Sequence, residues 1–410
     1  MGDRLTPKWG GRHHDSSEGS ATMRLFRTGR PMQTATPSPF RILVLGGYGL
    51  FGERISRTLA RDDGLDLVIA GRDSAKAQAL CDRLRAAGIR SLVSAARIDV
   101  DAADFPDRLG EAAPQLVIHT AGPFQQRDYG VARTALALGA HYVDLADGRE
   151  FVAGFGTLDA VAHAAGRWAI SGASSVPGLS GAIVAALRGK FGRLDSFDGA
   201  ISPGNRTPRG LATTRAILGY AGKPYAILRD GRSSRAHGWQ SLRRLHVPGV
   251  GTRWLARCDV PDLSVLPARH PDLRTCDFRA GLELRRMHFG LWLASWAARI
   301  GVVRDLARHA PGLLALSERW LACGSDVGVM QVDLRGVDHD GMPLQLRWRL
   351  VAANGDGPQV PATAAVVLAR KLARGQLPGS GARACLDLFT LDEFIDALAG
   401  HAILTTTEQV

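Results

Sequence analysis

One turn constrains this chain more than any other feature. Arg41–Leu45 (RILVL) is an apolar run, and it ends directly in glycines. Gly47-Tyr48-Gly49-Leu50-Phe51-Gly52 follows, and then helix-type spacing runs to about Arg61. A strand, a G-x-G-x-x-G turn and a helix in this order form the start of a dinucleotide-binding βαβ unit. Gly46 or Gly47 permits the tight turn out of the strand. Gly49 removes the Cβ that would keep backbone N–H groups from a pyrophosphate, and Gly52 lets the helix pack closely on the sheet. The helix N-terminus adds unsatisfied donors and a partial positive charge. The whole loop (Gly46, Gly47, Tyr48, Gly49, Leu50, Phe51 and Gly52) is therefore expected to contact the cofactor.

The pattern around this turn repeats. Leu65–Ala70, residues 90–95, Gln115–His119, His141–Asp144 and Trp168–Ser171 read as strands. Helical segments are expected at 73–87, 128–138 and 156–166. Strands alternating with helices of this length predict a parallel sheet covered on both faces. The alternation stops near residue 190. Residues 195–285 mix short strands with turns, and 288–322 look helical, interrupted by Pro311-Gly312. Met330–Val337 and Leu344–Ala352 read as a hairpin turning at Asp340-Gly341. Helices are expected at 361–374 and 390–399. The fold class that follows is α/β, an N-terminal doubly wound Rossmann domain with a second α+β domain. The expected boundaries are an unstructured segment 1–39, with Met23 and Met32 as alternative starts. A Rossmann domain 40–190 comes next, then an α+β substrate or dimerisation domain 191–356. A C-terminal helical segment 357–410 is expected to pack back on the Rossmann domain.

Composition narrows the partners. The formal net charge is +12 over 410 residues, and five of the 51 basic residues are lysines, the rest arginines. The arginines are scattered and not interleaved with aromatics, which favours a solvated surface over a nucleic-acid interface. The five cysteines form no C-x-x-C pair, so neither zinc nor a disulfide framework is expected. Without a signal peptide this composition implies a reducing cytoplasm. No apolar run reaches the length of a spanning helix. His288–Arg299 places Trp292 and Trp296 on one helical face, where packing is preferred over a lipid-facing role. A small-molecule substrate is expected, a homodimer is left open, and membrane association is the weaker expectation.

The next strands specify the cofactor. Arg72 stands 20 positions after Gly52, where an NAD site carries an acidic residue for the ribose 2′-OH. A guanidinium there would pair with a 2′-phosphate, so NADP is expected over NAD. Asp73 reads as the N-cap of the following helix. Asp99, after the third strand, is placed near the adenine end. After the fourth strand, Ala121, Gly122 and Pro123 would approach the cofactor across the crevice, and Phe124 would wall the nicotinamide.

These segments together resemble a known family, the saccharopine dehydrogenase-like NADP-binding proteins. The resemblance rests on GGYGLFG (46–52), AGRD (70–73), HTAGPFQ (119–125), GAHYVDLADG (139–148), PGLS (177–180) and GPQVPATAAVVLARKLARG (357–375). It covers about 40–190 and 357–400 and is poor over the centre of the second domain. It implies oxidoreduction at the carbon–nitrogen bond of an amino-acid adduct, with related members acting on lipids.

Hydride transfer to an imine needs a positioned acceptor carbon and often a proton donor. Tyr142, Asp144 and Asp147 lie at the end of the HYVDLAD strand bordering the cleft, and Asp144 is the first choice. His119 is preferred as a core residue. Arg127, Arg149 and Arg206 are candidates for a substrate carboxylate. A short-chain dehydrogenase would need Y-x-x-x-K, and Tyr220 and Lys223 are one residue too close. The alternative to an enzyme is a non-catalytic NADP-binding regulator or lipid-associated scaffold on the same fold.

Overall fold

The computed structural model describes residues 38–410, so all but the last two residues of the 1–39 segment, and both alternative starts, lie outside the described residues. The first sheet collects β1 (Phe40–Leu45), β2 (Leu65–Gly71), β3 (Leu92–Arg97), β4 (Leu116–His119), β5 (His141–Asp144) and β6 (Trp168–Ser171). All pair in parallel, in the order β6-β5-β4-β1-β2-β3. This is the doubly wound order in which β1 and β4 are neighbours at the topological switch point. Parallel strands buried on both faces need continuous apolar runs. Ile42, Leu43 and Val44 are fully buried, as are Leu67, Ile69 and Leu116–Ile118. A helix that the sequence pattern did not reveal, Phe105–Ala112, covers part of this sheet with Pro106 in its first turn.

The second sheet contains β7 (Arg193–Ser202), β8 (Pro224–Arg229), β9 (Arg232–His237), β10 (Arg243–Val247), β11 (Gly251–Arg257), β12 (Thr275–Ala280), β13 (Gly328–Val337) and β14 (Pro343–Ala352). Its pairing is mixed: β7 and β12 are parallel, whereas β13 pairs antiparallel with both β7 and β14. Period-two alternation explains its faces. Phe197, Phe278, Val332, Leu334 and Trp348 join the core shared with the first sheet. The other face carries charges paired across strands. Arg347 Nε donates to Asp333 at 2.7 Å, and Arg257 Nε donates to Asp277 at 3.2 Å.

The C-terminal stretch departs from its expected role as a helical segment packing on one domain. The helix Gln359–Ala373 packs against the helix Gly52–Leu59, and β15 (Gly381–Ala384) extends the first sheet beside β6. β16 (Ile403–Gln409) instead closes the edge of the second sheet against β14. The chain end therefore ties the two sheets together. Its Thr-rich, weakly apolar sequence gave no strand period, because an edge strand buries little. The helical region 288–322 also breaks earlier than expected. Arg285–Arg299 ends before residues 300–305, and Pro311 begins the first turn of Ala310–Glu318, where a missing N–H costs nothing.

Candidate functional site

The parallel register gathers the candidate cofactor residues. Leu45 pairs with Ala70 on one side and His119 on the other. The three strands therefore end level, and the segments after them meet at one edge. Gly46 leaves β1 with φ of 75°, a left-handed conformation that suits glycine. A Cβ on Gly52 would lie 2.2 Å from the Gly46 carbonyl oxygen and 2.8 Å from Gly47 Cα. Gly52 is therefore what lets the helix start against the turn. The open loop with its following helix fits a pyrophosphate cradle.

The 120–124 loop lies against this cradle. Thr120 Oγ1 donates to the Leu45 carbonyl at 2.8 Å, and a Cβ on Gly46 would meet that hydroxyl at 2.8 Å. Thr120 was not singled out from sequence, although it sits inside the HTAGPF segment. Ala121, Gly122 and Pro123 remain partly accessible. Phe124 is the residue expected to wall the nicotinamide. It is buried, with its ring 4.9 Å from His119 and 5.5 Å from Phe151.

At the end of β2, Arg72 is exposed and makes no side-chain hydrogen bond or ion pair among the described residues. Tyr48 folds back over Gly71, where a Cβ would lie 2.6 Å from the phenol ring, and its hydroxyl accepts the Asp73 N–H at 2.9 Å. The glycine loop thus fixes the turn that carries Arg72. Asp73 caps the next helix by accepting from Lys76 N. Asp99 is half-buried, and its Oδ1 accepts the Asp101 N–H at 3.2 Å in a local turn.

The three catalytic candidates separate by burial. Tyr142 is 1% exposed, its hydroxyl 3.0 Å from His119 Nδ1. Burial raises the phenol well above its ordinary range and lowers His119 to about 4. His119 thus behaves as the core residue it was preferred to be. Asp144 is fully buried, and its Oδ1 accepts from Ala146 N, Ser171 Oγ and Gly172 N at 2.8–2.9 Å. It braces the loops after β5 and β6 and lines neither of the two cavities described below. Burial raises its carboxyl to about 6 against those three donors. Asp147 alone of the three is half-accessible; its Oδ1 accepts from Gln125 Nε2 at 3.0 Å, and burial raises its pKa. The arginine candidates are mostly committed. Arg127 pairs with Asp101. Arg149 donates to Ala226 O, Asp259 Oδ1, Leu263 O and Ser264 Oγ, so it ties the β5 loop to the second-sheet region. Arg206 is exposed.

The substrate side was not legible in the sequence. A cavity of about 250 Å³ lies between the sheets. Leu50 and Phe51 of the glycine loop form one wall, and Ile201, Met330 and Leu350 of the second sheet form another. Ile217 and Thr213 of the helix Leu211–Tyr220 close a third side. Ser175, four residues after β6, also faces it. These segments are far apart in the chain, and no local pattern marks them as partners. A second cavity of about 400 Å³ lies within the first domain, behind the 120–124 loop, lined by His119, Phe124, Arg127 and Tyr142.

A doubly wound crevice with a glycine cradle defines a dinucleotide-binding domain. Residues 42–165 match the saccharopine dehydrogenase NADP binding domain, so the first domain is a saccharopine dehydrogenase-like NADP-binding domain. The whole fold is similar to apo saccharopine dehydrogenase (L-Glu forming) from Saccharomyces cerevisiae, with a TM-score of 0.63 and 14% identity over 90% of this chain and 100% of that one. An amine dehydrogenase from Mycobacterium smegmatis is more distant, with a TM-score of 0.43 and 14% identity over 87% of this chain and 96% of that one. No curated protein matches in sequence. No helix among the described residues is long and apolar enough to cross a membrane, and none of their His, Cys, Asp and Glu clusters could hold a metal ion.

Proposed function

We propose that the protein is an NADP(H)-dependent oxidoreductase acting on a small molecule held between the two sheets. The observation that carries this reading is continuity: the loop that cradles the pyrophosphate also walls the inter-sheet cavity through Leu50 and Phe51. Bound NADPH would supply a hydride at that junction. The chain's own residues position the two ligands. The Gly46–Gly52 backbone takes the pyrophosphate, and Arg72 takes the 2′-phosphate. Thr120 holds the facing loop in place. Asp147, the partly accessible one of the three candidates, with its pKa raised by burial, is the candidate proton donor or acceptor.

The finer reading, reduction of an imine or secondary amine in an amino-acid adduct, is supported by the resemblance of the cofactor half and by the matching overall fold. The test is direct. NADPH and NADH are titrated against the purified full chain by fluorescence. NADPH oxidation is then followed with amine plus 2-oxo-acid pairs and, separately, with uncharged carbonyl compounds. Turnover with the amine pairs supports the carbon–nitrogen reading. Turnover only with carbonyls keeps the oxidoreductase and removes that refinement. Tight NADPH binding without any turnover favours the regulator or scaffold. The second-sheet region offers one observation for that alternative, since Leu293, Trp296 and Ile300 are exposed along one helix and its C-terminal end.

A further inference from the structure

We propose that the inter-sheet cavity is built for a hydrocarbon chain, and that the hydride acceptor is an apolar-chain carbonyl compound whose oxygen meets Ser175: NADPH hydride would form the new C–H bond as the C=O π bond opens, and the oxygen would take one proton from solvent, giving the alcohol and NADP⁺. The proposal rests on the NADP(H)-dependent oxidoreductase reading alone and takes the place of the amino-acid-adduct refinement with a different substrate class. Three observations carry it. First, the walls contributed by Leu50 and Phe51 of the glycine loop, Ile201, Met330 and Leu350 of the second sheet and Ile217 of the helix Leu211–Tyr220 are apolar. Second, the two charged residues of the lining are already occupied. Glu283 accepts from Asn205 N at 2.6 Å and from Ser325 Oγ at 2.7 Å, and it pairs with Arg253 at 3.0 Å. Arg209 donates to the Asn205 carbonyl at 2.9 Å, to the Asn205 side chain and to Ser317. A substrate bearing several carboxylates would find no free cation there, and an unpaired buried carboxylate is strongly disfavoured. Third, Ser175 is 4% exposed, lines the cavity and has no hydrogen-bond partner for its hydroxyl. It follows the carboxyl end of β6, the edge at which open parallel sheets hold their ligands. A buried unpartnered hydroxyl beside an apolar chamber suits one polar atom at the end of a chain.

Size sets the expected chain. A water molecule takes about 30 Å³ of liquid, so 250 Å³ holds roughly eight atoms of that size. Each buried methylene adds roughly fourfold in affinity. The test uses the full chain with NADP⁺ bound, so that aldehydes bind without being reduced. Calorimetry measures a series of n-aldehydes from propanal to dodecanal, and glutamate together with 2-oxoglutarate serves as the charged comparison. NADPH oxidation is followed in parallel on the same series. Affinity is expected to rise by roughly fourfold per methylene to about eight carbons and then level. Ile217→Gln should flatten that rise while NADPH affinity stays unchanged. Ser175→Ala should weaken every aldehyde by about tenfold and leave the rise per methylene intact. The two variants sit on different elements, so misfolding of one leaves the other as the test. Affinity independent of chain length, or tighter binding of the charged pair than of octanal, overturns the proposal. Chain-dependent binding without NADPH oxidation keeps the hydrocarbon cavity and refutes the oxidoreductase reading. NADPH oxidation with short polar acceptors and no chain dependence does the reverse.

Discussion

The cofactor crevice and the inter-sheet cavity adjoin each other and are built from different material. The crevice is made of backbone. Its shape depends on glycines that a Cβ would block and on three strands ending level. The cavity is made of side chains drawn from the glycine loop, the segment after β6, a helix and the second sheet. A backbone site tolerates almost no substitution at its few glycines, whereas a side-chain site can change its ligand by exchanging apolar residues. The two halves can therefore hold a common cofactor and an individual substrate within one fold.

Substitutions that attack each region should separate them. The largest effect is expected for Gly52→Val. Its Cβ would strike the Gly46 carbonyl at 2.2 Å, so overpacking costs about 3 kcal/mol or more and NADPH titration should show no binding. Denaturant unfolding reports the stability loss, and a variant of wild-type stability that binds NADPH would refute the close packing. Arg149→Ala comes next. It leaves the half-buried Asp259 and three further acceptors on Ala226, Leu263 and Ser264 unpaired across the two regions. A loss of about 2–3 kcal/mol is expected in the same unfolding assay, and a loss under 0.5 kcal/mol would show that the strut does not hold the regions together.

Asp144 gives a pH test of its bracing role. Its folded pKa of about 6 lies above its ordinary 3.8, so the protonated form is favoured on folding. The contribution is fully present below pH 4 and is lost as pH rises through 6, a span of about 2–3 kcal/mol. The stability difference between wild type and Asp144→Asn should therefore shift between pH 4 and 6 and stay level above 7. A flat difference would mean that the carboxyl titrates normally. The smallest expected effect is that of Arg72→Ala, about tenfold weaker NADPH binding with NADH unchanged. Equal losses for both nucleotides would move the 2′-phosphate contact elsewhere.

How far these regions were legible follows from the same difference. β5 and β6 were bounded correctly, and the 330–352 hairpin was found within two residues at either end, because the periods and turn residues are local signals. The glycine loop was legible for the same reason. Asp144 and Tyr142 looked catalytic because strand ends in open sheets face ligands. The fold buries both: Ser171 and Gly172, some 27 residues further on, close over Asp144, and His119 from the adjacent strand meets Tyr142. Phe124 turned inward for a similar reason, since His119 and Phe151 offer an aromatic pocket that solvent does not. Ser175 had no signal of its own, because a serine after a strand is ordinary until its surroundings are known.

The sequence by itself determined the dinucleotide cradle, the doubly wound order that follows from alternating strands and helices, and the position of Arg72 just after the second strand. Each depends on backbone conformation or on residues close in the chain, where steric rules act without knowledge of the rest. Tertiary structure alone decided which carboxylate is buried and which is reachable, where β16 pairs, and what lines the inter-sheet cavity. Those outcomes depend on side chains brought together from opposite ends of the chain, where desolvation and packing are set by neighbours that no local pattern names.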